Sequence, residues 1–437
     1  SVEKKPAVKD SQNHYDVVIV GGGMVGTTLA SALGNNDNLS ALSVLLLEAS
    51  GKFKGFSGDN YSNRVSALNH NTRNLLDSIG AWNHIKSARF RTVREMHVWD
   101  AISDAFITFN QEEIEGDLAY IVENDLIVDA ALKTLENTSN VQIQYNSNIE
   151  KCSIPANHET PATVTLRNGE TFTCNLLVGA DGAKSLVRRT MDINTFEFPY
   201  NQFGIVATLE LDEGGGNTTA WQRFLPTGPV ALLPLSDTLS SLVWSTTSEE
   251  AKKLLKMEPQ EFVEELNQAF RRSYKHSNVT SAVETLKKCL MPMSSSRNQT
   301  PPRVMKVLDN SRAAFPLGFS HASSYVKNGV VLVGDAAHRI HPLAGQGVNL
   351  GFGDVKCLTS ILEDAMCSGG KLGDLGYLVK YEKERLSRNV PIMLGTHGIQ
   401  RLYNTDLAPV VLMRSIALQV TQSIPFLKKM FMDRAMY

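Results

Sequence analysis

The tightest constraint in this sequence is a glycine-rich turn that closes an apolar run near the N-terminus. Tyr15–Val20 (YDVVIV) is short, apolar and β-branched, which predicts a strand buried on both faces. Gly21-Gly22-Gly23-Met24-Val25-Gly26 follows at once. Thr27–Leu33 then reads as a helix, ended by Gly34 and the polar stretch Asn35–Ser40. Val44–Leu47 predicts a second buried strand, closed by Glu48. This is a βαβ unit. Gly21 permits the tight turn, Gly23 lets backbone approach a pyrophosphate, and Gly26 lets the helix pack on the strand. The helix N-terminus adds unpaired N–H groups and partial positive charge. A carboxylate at Glu48 can hold ribose hydroxyls, and an acid there disfavours a 2′-phosphate.

That unit suits FAD and NAD equally. A second cluster separates them. Gly334-Asp335-Ala336-Ala337-His338 follows the apolar run Val330–Val333 and leads into His341-Pro342-Leu343-Ala344-Gly345-Gln346-Gly347-Val348-Asn349. Asp335 falls at a strand end, where a carboxylate can bind a chain of hydroxyls. Gly345 and Gly347 open a new helix, a second site for an anion or dipole. Two such turns far apart in one chain suit a long ligand such as FAD. A third cluster, Leu177 to Arg188 (LVGADGAKSLVR), reads from its residues as a strand end and an Asp-Gly turn.

Composition narrows the class. Of 437 residues 43 are basic and 45 acidic, a net charge of -2, which argues against a dedicated nucleic-acid binder. With 42% hydrophobic and 20% charged residues the chain is an ordinary globular protein of two or three domains. Five scattered cysteines without a CxxC pair predict reduced thiols rather than a disulfide frame or a zinc site. No apolar run reaches 18 residues, the span of a membrane helix. Residues 1–13 read as a disordered leader. His338 and His341 lie three apart; in a Gly/Pro loop they read as packing or hydrogen-bonding residues rather than metal ligands, and no metal is expected.

The middle third changes character. Gly204–Leu211, Trp221–Leu225, Val230–Leu235 and Leu239–Thr246 alternate with turn residues and predict an antiparallel set. A helix is expected over about 259–273 and a loop over 291–303. The expected organisation is α/β: a Rossmann-like FAD-binding domain over 14–195 and 311–370, a β-rich substrate domain over 196–310, and a helical region over 371–437. Arg223 alternates out of an apolar strand; a surface salt bridge is its expected use, a substrate carboxylate the alternative. Pro229–Leu235 reads as core or as the wall of an apolar channel.

The three glycine clusters, in this order, form a signature that resembles the class A flavoprotein monooxygenases, with the fold of p-hydroxybenzoate hydroxylase. Within that class Tyr61–Leu68 (YSNRVSAL), Tyr120–Asn124 (YIVEN), Trp221–Pro229 and Ala231–Asp237 resemble the ubiquinone-biosynthesis hydroxylases, and most closely their eukaryotic mitochondrial branch. The resemblance covers nearly the whole chain. It implies FAD, which when reduced takes up O2 as a C4a-hydroperoxide that an electron-rich phenol attacks. It implies hydroxylation at ring C5 of a polyprenylated hydroxybenzoate, on the matrix side of the mitochondrial inner membrane. It implies further that Gly21, Gly23, Gly26 and Glu48 bind the ADP half, that Arg64 lies beside the flavin, and that Asp181 serves FAD and pyridine-nucleotide handling. Asp335 then holds the ribityl chain, with Pro342, Gly345 and Gly347 along the isoalloxazine edge. No second GxGxxG follows a strand. The class implies NAD(P)H as electron source, the mitochondrial branch a ferredoxin and its reductase, with other ubiquinone-biosynthesis proteins as partners. No general base is assigned. A soluble-phenol hydroxylase and a flavin-bound scaffold without activity remain the competing readings. The C-terminal stretch 408–437 has apolar residues at helical spacing and basic residues near its end, suited to a membrane surface, a partner or the protein's own core.

Overall fold

The computed structural model describes residues 13–58, 60–103, 105–111, 116–155, 160–212, 216–274, 300–343, 346–405 and 407–423. The leader expected over 1–13, apart from Asn13, the loop over 291–299, and the tail after Ser423 lie outside them.

Five parallel strands form the centre of the first sheet. His14–Val20 lies between Thr171–Gly179 and Val44–Leu47, all parallel. Val330–Leu332 flanks Thr171–Gly179, and Val141–Gln144 flanks Val44–Leu47, also parallel. Val17, Val18, Ile19, Leu176, Leu177 and Val331 are fully buried, as a sheet covered on both faces requires. The helix Met24–Gly34 covers one face through Leu29, Ala30 and Leu33. The Asn168-Gly169 turn joins Ala162–Leu166 to Thr171–Gly179, with Gly169 at φ +90°.

The second sheet is antiparallel for most of its width and wider than the expected 196–310. Its spine is Thr195–Leu211, paired with Ala313–Ala322 on one side and Leu239–Thr247 on the other. Gly228–Pro234 and Thr219–Leu225 continue it. Glu95–Asp100 then pairs in parallel with Thr219–Leu225, and Phe106–Asn110 closes that edge. The β domain therefore borrows strands from both segments expected to belong to the FAD domain. Sequence pattern cannot show this, because a borrowed strand alternates like any other. The helices Ser248–Lys256 and Pro259–Arg271 cover one face through Leu254, Phe262, Leu266 and Phe270. Val230 and Leu232 point into this core, which accounts for the apolar run there.

The helices Gln346–Cys367, Leu375–Tyr403 and Ala408–Ser423 follow. The last is bolted to the second sheet by its own sequence. Arg414 reaches Asp100 at 3.0 Å, both nearly fully buried, and Val411 packs on Ile102. The described half of the C-terminal stretch thus docks on the protein's own core.

Candidate functional site

Three glycine turns leave three neighbouring parallel strands at the same end. Val20 pairs with Gly179, and Gly179 with Leu332. The turns that follow, at Gly21, Ala180–Asp181 and Gly334–Asp335, therefore lie side by side. Strand ends in a parallel sheet are where ligands of α/β folds bind.

The first turn is built by close approach. Gly21 sits at φ +109°, and a Cβ there would lie 2.4 Å from the Ala180 carbonyl oxygen. A Cβ on Gly26 would lie 1.9 Å from the carbonyl oxygen of Gly21, so the helix can start only on a glycine. Gly23 differs: a Cβ there meets nothing within 4 Å. That open backbone at a helix N-terminus is the surface a pyrophosphate needs. Glu48 holds the turn: its carboxylate accepts from the Gly22 amide at 2.7 Å and from Ser50 at 2.8 Å.

The second turn is fastened to the third. Arg188, 6% exposed, donates to the carbonyls of Ala336 at 2.8 Å and Ala183 at 2.6 Å. Asp181 caps the short helix Leu186–Thr190, accepting from the Leu186 amide at 2.6 Å with Oδ2. Its other oxygen, Oδ1, is buried with no hydrogen-bond partner.

The third turn is held from behind by a buried charge cluster. Asp354 accepts from the Gly334 amide at 2.9 Å and meets His338 Nε2 at 2.6 Å with one oxygen; Arg385 Nε donates to the other at 2.7 Å. Burial alone would raise the Asp354 carboxyl, but His338, Arg385 and the Gly334 amide together hold it below the usual carboxylate range. Arg385 lies flat on Gly353, where a Cβ would come within 2.5 Å of its guanidinium. Asp335 is turned the other way. Its side chain is exposed to solvent, yet protein crowds it so closely that burial pushes its carboxyl up despite His338, Arg339 and Arg188. The Asp335 carboxyl is thus crowded by protein and still reaches solvent.

His338–Arg339 then pairs with Ala313–Ala322, so the third turn also joins the second sheet. His341 next to it is fully buried, edge-on to Tyr200 at 5.1 Å, with neither ring nitrogen hydrogen-bonded. Burial pushes its pKa down to about 4. It packs, as expected, but forms no hydrogen bond. Gly347 has room around it, its nearest would-be Cβ neighbour at 3.8 Å. Pro342 is half-buried, and Gly345 lies outside the described residues. Arg64 is exposed, and Asn349 ties its strand to the helix Gln346–Cys367 by accepting from the Asn69 amide and donating to the Ala67 carbonyl.

Arg223 is a correction. It is buried rather than at the surface. It is 3% exposed and donates to the carbonyls of Ala269 and Arg272 at 2.9 Å each, closing the C-terminus of the helix Pro259–Arg271. Asp354, Arg385 and Arg188 were missed. An acid at 354 inside the apolar stripe Leu350, Phe352, Val355 and Leu358 is the signal that had been available, since a buried acid needs a partner.

Residues 14–298 and 297–393 match the FAD binding domain family. A Drosophila melanogaster protein named ubiquinone biosynthesis monooxygenase COQ6, mitochondrial, is 51% identical over 431 residues, covering 98% of this chain and 90% of that one. The chain belongs to the COQ6 ubiquinone biosynthesis monooxygenase family. The human protein of that name is 44% identical over 430 residues, covering 96% of this chain and 92% of its own. The fold is shared more widely. The p-nitrophenol 4-monooxygenase PnpA from Pseudomonas putida superposes with a TM-score of 0.72 at 16% identity, over 97% of this chain and 99% of its own. HpxO from Klebsiella pneumoniae, solved in complex with FAD, gives 0.67 at 16% identity, over 97% and 98%. This COQ6-family chain is an FAD-dependent monooxygenase with the p-hydroxybenzoate hydroxylase-like fold. The open backbone at Gly23, the orphaned Asp181 oxygen and the exposed Asp335 fit that cofactor. Among the described residues no cluster of His, Cys, Asp and Glu could hold a metal ion.

Proposed function

We propose that this chain hydroxylates ring C5 of a polyprenylated hydroxybenzoate in ubiquinone biosynthesis. The observation that carries this reading is near-full-length identity to relatives named for that pathway. The likeness joins a sheet edge where three glycine turns meet. FAD supplies the oxygen chemistry when bound and reduced: one atom of O2 goes to the ring and the other leaves as water.

The chain's own residues hold and shield. Gly21, Gly23 and Gly26 give the pyrophosphate a bare backbone and a helix N-terminus. Glu48 is fixed where ribose hydroxyls can reach its remaining lone pairs. Asp335 accepts from the ribityl hydroxyls, and Asp181 uses its unpartnered oxygen toward the cofactor. Arg64, Pro342, Gly345 and Gly347 border the ring system. The fastening of the turns by Glu48, Arg188 and Asp354 keeps these groups in one geometry, so little reorganisation is left for turnover.

Each turnover needs two electrons from outside the chain, from a ferredoxin and its reductase or from NAD(P)H. Contact with a membrane surface is supported by exposed apolar side chains on and near the last two described helices. Leu394, Ile399 and Leu402 on one helix, and Leu407 and Met413 near and on the next, are among the most exposed large apolar side chains, Leu407 at 64%. Val390–Leu427 holds only Arg401, Asp406 and Arg414 as charged residues, and Arg414 is buried. Among the described residues no helix is long and apolar enough to cross a membrane. The relatives are named as mitochondrial, and the matrix side of the inner membrane is the proposed place of work, beside other ubiquinone-biosynthesis proteins.

The test is mass-spectrometric profiling of quinone intermediates in a strain lacking the gene. Accumulation of a prenylphenol lacking the C5 hydroxyl supports the reading; a normal quinone pool overturns it. Bleaching of the purified flavoprotein by NADPH alone, against bleaching only with ferredoxin and its reductase, decides the electron source.

A further inference from the structure

Of the two stretches Tyr61–Leu68 and Tyr120–Asn124, only Arg64 has a role in the site as drawn so far. They pair with each other: Val65 opposes Glu123, and Leu68 opposes Tyr120, in an antiparallel ladder. The chain that enters this ladder comes from Glu48 through a long segment without regular structure over 51–57. Such a segment cannot fix its own end. Arg64 stands at that end, exposed, and its guanidinium has no hydrogen-bond partner among the described residues.

One side chain closes the segment. Arg89 Nε and Nη2 fork onto the Glu123 carboxylate at 2.7 and 3.0 Å. The same guanidinium donates to the carbonyl of Gly58 through Nη1 and to that of Asn60 through Nη2, at 2.7 Å each. The Tyr61 ring stacks on it at 3.8 Å, and the Phe56 ring lies at 4.9 Å. Glu123, 3% exposed, uses the same carboxylate to accept from the Ser62 amide at 2.6 Å. The next residue, Asn124, donates its amide to the Arg64 carbonyl at 3.0 Å. The backbone on both sides of Arg64 is thus held by the dipeptide Glu123-Asn124, and Arg89 holds Glu123 and the approaching loop in one grip. Planar forked recognition of this kind is a property of arginine that lysine lacks.

We infer that Arg89 is a positioning residue for the flavin side of the site: it clasps Gly58, Asn60 and Tyr61 to Glu123 and so aims Arg64. It touches no reacting atom. The inference rests on the proposed placement of Arg64 beside the cofactor. It does not rest on which phenol is hydroxylated.

The test uses purified protein and two readouts besides turnover: FAD affinity, from quenching of flavin fluorescence on titration into apoprotein, and amide hydrogen exchange over 52–64. Arg89→Gln is expected to weaken FAD binding about 10-fold, the loss of one charge-assisted contact. It should speed exchange at least as much, and only in that segment. Arg89→Lys is expected to behave like Arg89→Gln, whereas a merely structural positive charge would be rescued by lysine. Arg64→Ala combined with Arg89→Gln is expected to bind FAD as weakly as Arg64→Ala alone, within about twofold, because both remove one contact. Wild-type affinity in Arg89→Lys, losses that multiply in the double variant, or wild-type affinity in Arg64→Ala would each overturn the inference. Where Arg89→Gln does not accumulate folded, Arg89→Lys carries the same comparison. None of these outcomes changes the quinone profile test, so the two readings fail separately.

Discussion

Asp181 and Asp335 look alike in sequence, each an aspartate beside a glycine at the end of a buried strand, and the two strands are neighbours. The structure sets them to different work. Asp181 spends one oxygen on the Leu186 amide, inside its own turn. Asp335 spends neither carboxylate oxygen on a protein donor among the described residues, and is exposed to solvent. Their supports differ as well. The Asp181 turn is secured by its own short helix and by Arg188 through the Ala183 carbonyl, while the same arginine also donates to the Ala336 carbonyl of the Asp335 turn. The Asp335 turn is secured from helices on the far side of the chain, through Asp354, Arg385 and Asn389. An aspartate used locally stabilises the turn; one supported from elsewhere is left free to bind.

The largest effect should come from cutting that remote support. Asp354→Asn keeps the size but removes the charge, leaving Arg385 buried and uncompensated. Breaking a buried pair in this way costs about 3–5 kcal/mol. Urea unfolding of the apoprotein should show it. At the other turn Ser185 is the N-cap of Leu186–Thr190, accepting from the Arg188 amide at 2.9 Å, and Ser185→Ala should cost only about 1 kcal/mol. Equal losses would mean that the two turns are supported alike. Next in size is Asp335→Ala. Two hydrogen bonds to a charged acceptor are worth about 1.5–3 kcal/mol each, so FAD affinity should fall about 100-fold or more. Unfolding of the apoprotein should hardly change, since the carboxylate supports no other group.

The same contrast explains what sequence could show. The buried strands and both helix starts at glycine were legible, because apolar runs and glycine are local signals. Val44–Leu47 appears with the expected bounds. The borrowed strands Glu95–Asp100 and Phe106–Asn110 were not legible, since partner choice is a long-range property. Arg223 was misread because its alternation shows only that it leaves one face, not that a helix end waits there. Arg89 escaped notice for the same reason: its partners, Gly58, Asn60 and Glu123, are two separate stretches of chain brought together only by the ladder at Val65.

The third effect is acid sensitivity, and it belongs to the Asp335 side. His341 is held neutral there, its pKa lowered from 6.5 to about 4 by burial, and burial lowers His321 as well, helped by His338. A lowered folded pKa means that the unfolded chain binds more protons between those values. Stability is therefore full above the unfolded value and is lost as pH falls from 6.5 toward 4. At pH 5 His341 alone should account for about 2 kcal/mol. Urea unfolding at pH 7.5 and 5 should show that loss in the wild type, and His341→Leu should flatten most of it. A variant as acid-sensitive as the wild type would place the titrating group elsewhere.

The smallest effect tests whether Asp181 is chiefly a cap. Asp181→Asn keeps one oxygen that can accept from the Leu186 amide, so the turn should lose only about 1 kcal/mol. The carboxamide brings donors to the position of a buried, unpartnered acceptor. If that oxygen meets the cofactor, FAD affinity should fall by about threefold to tenfold, the range of one hydrogen bond of modest net worth. A fall larger than that of Asp335→Ala would reverse the assignment, making Asp181 the principal acceptor. A change in stability with no change in affinity would leave Asp181 a cap alone. In either case the two aspartates would be separated by measurement where their sequence contexts are nearly the same.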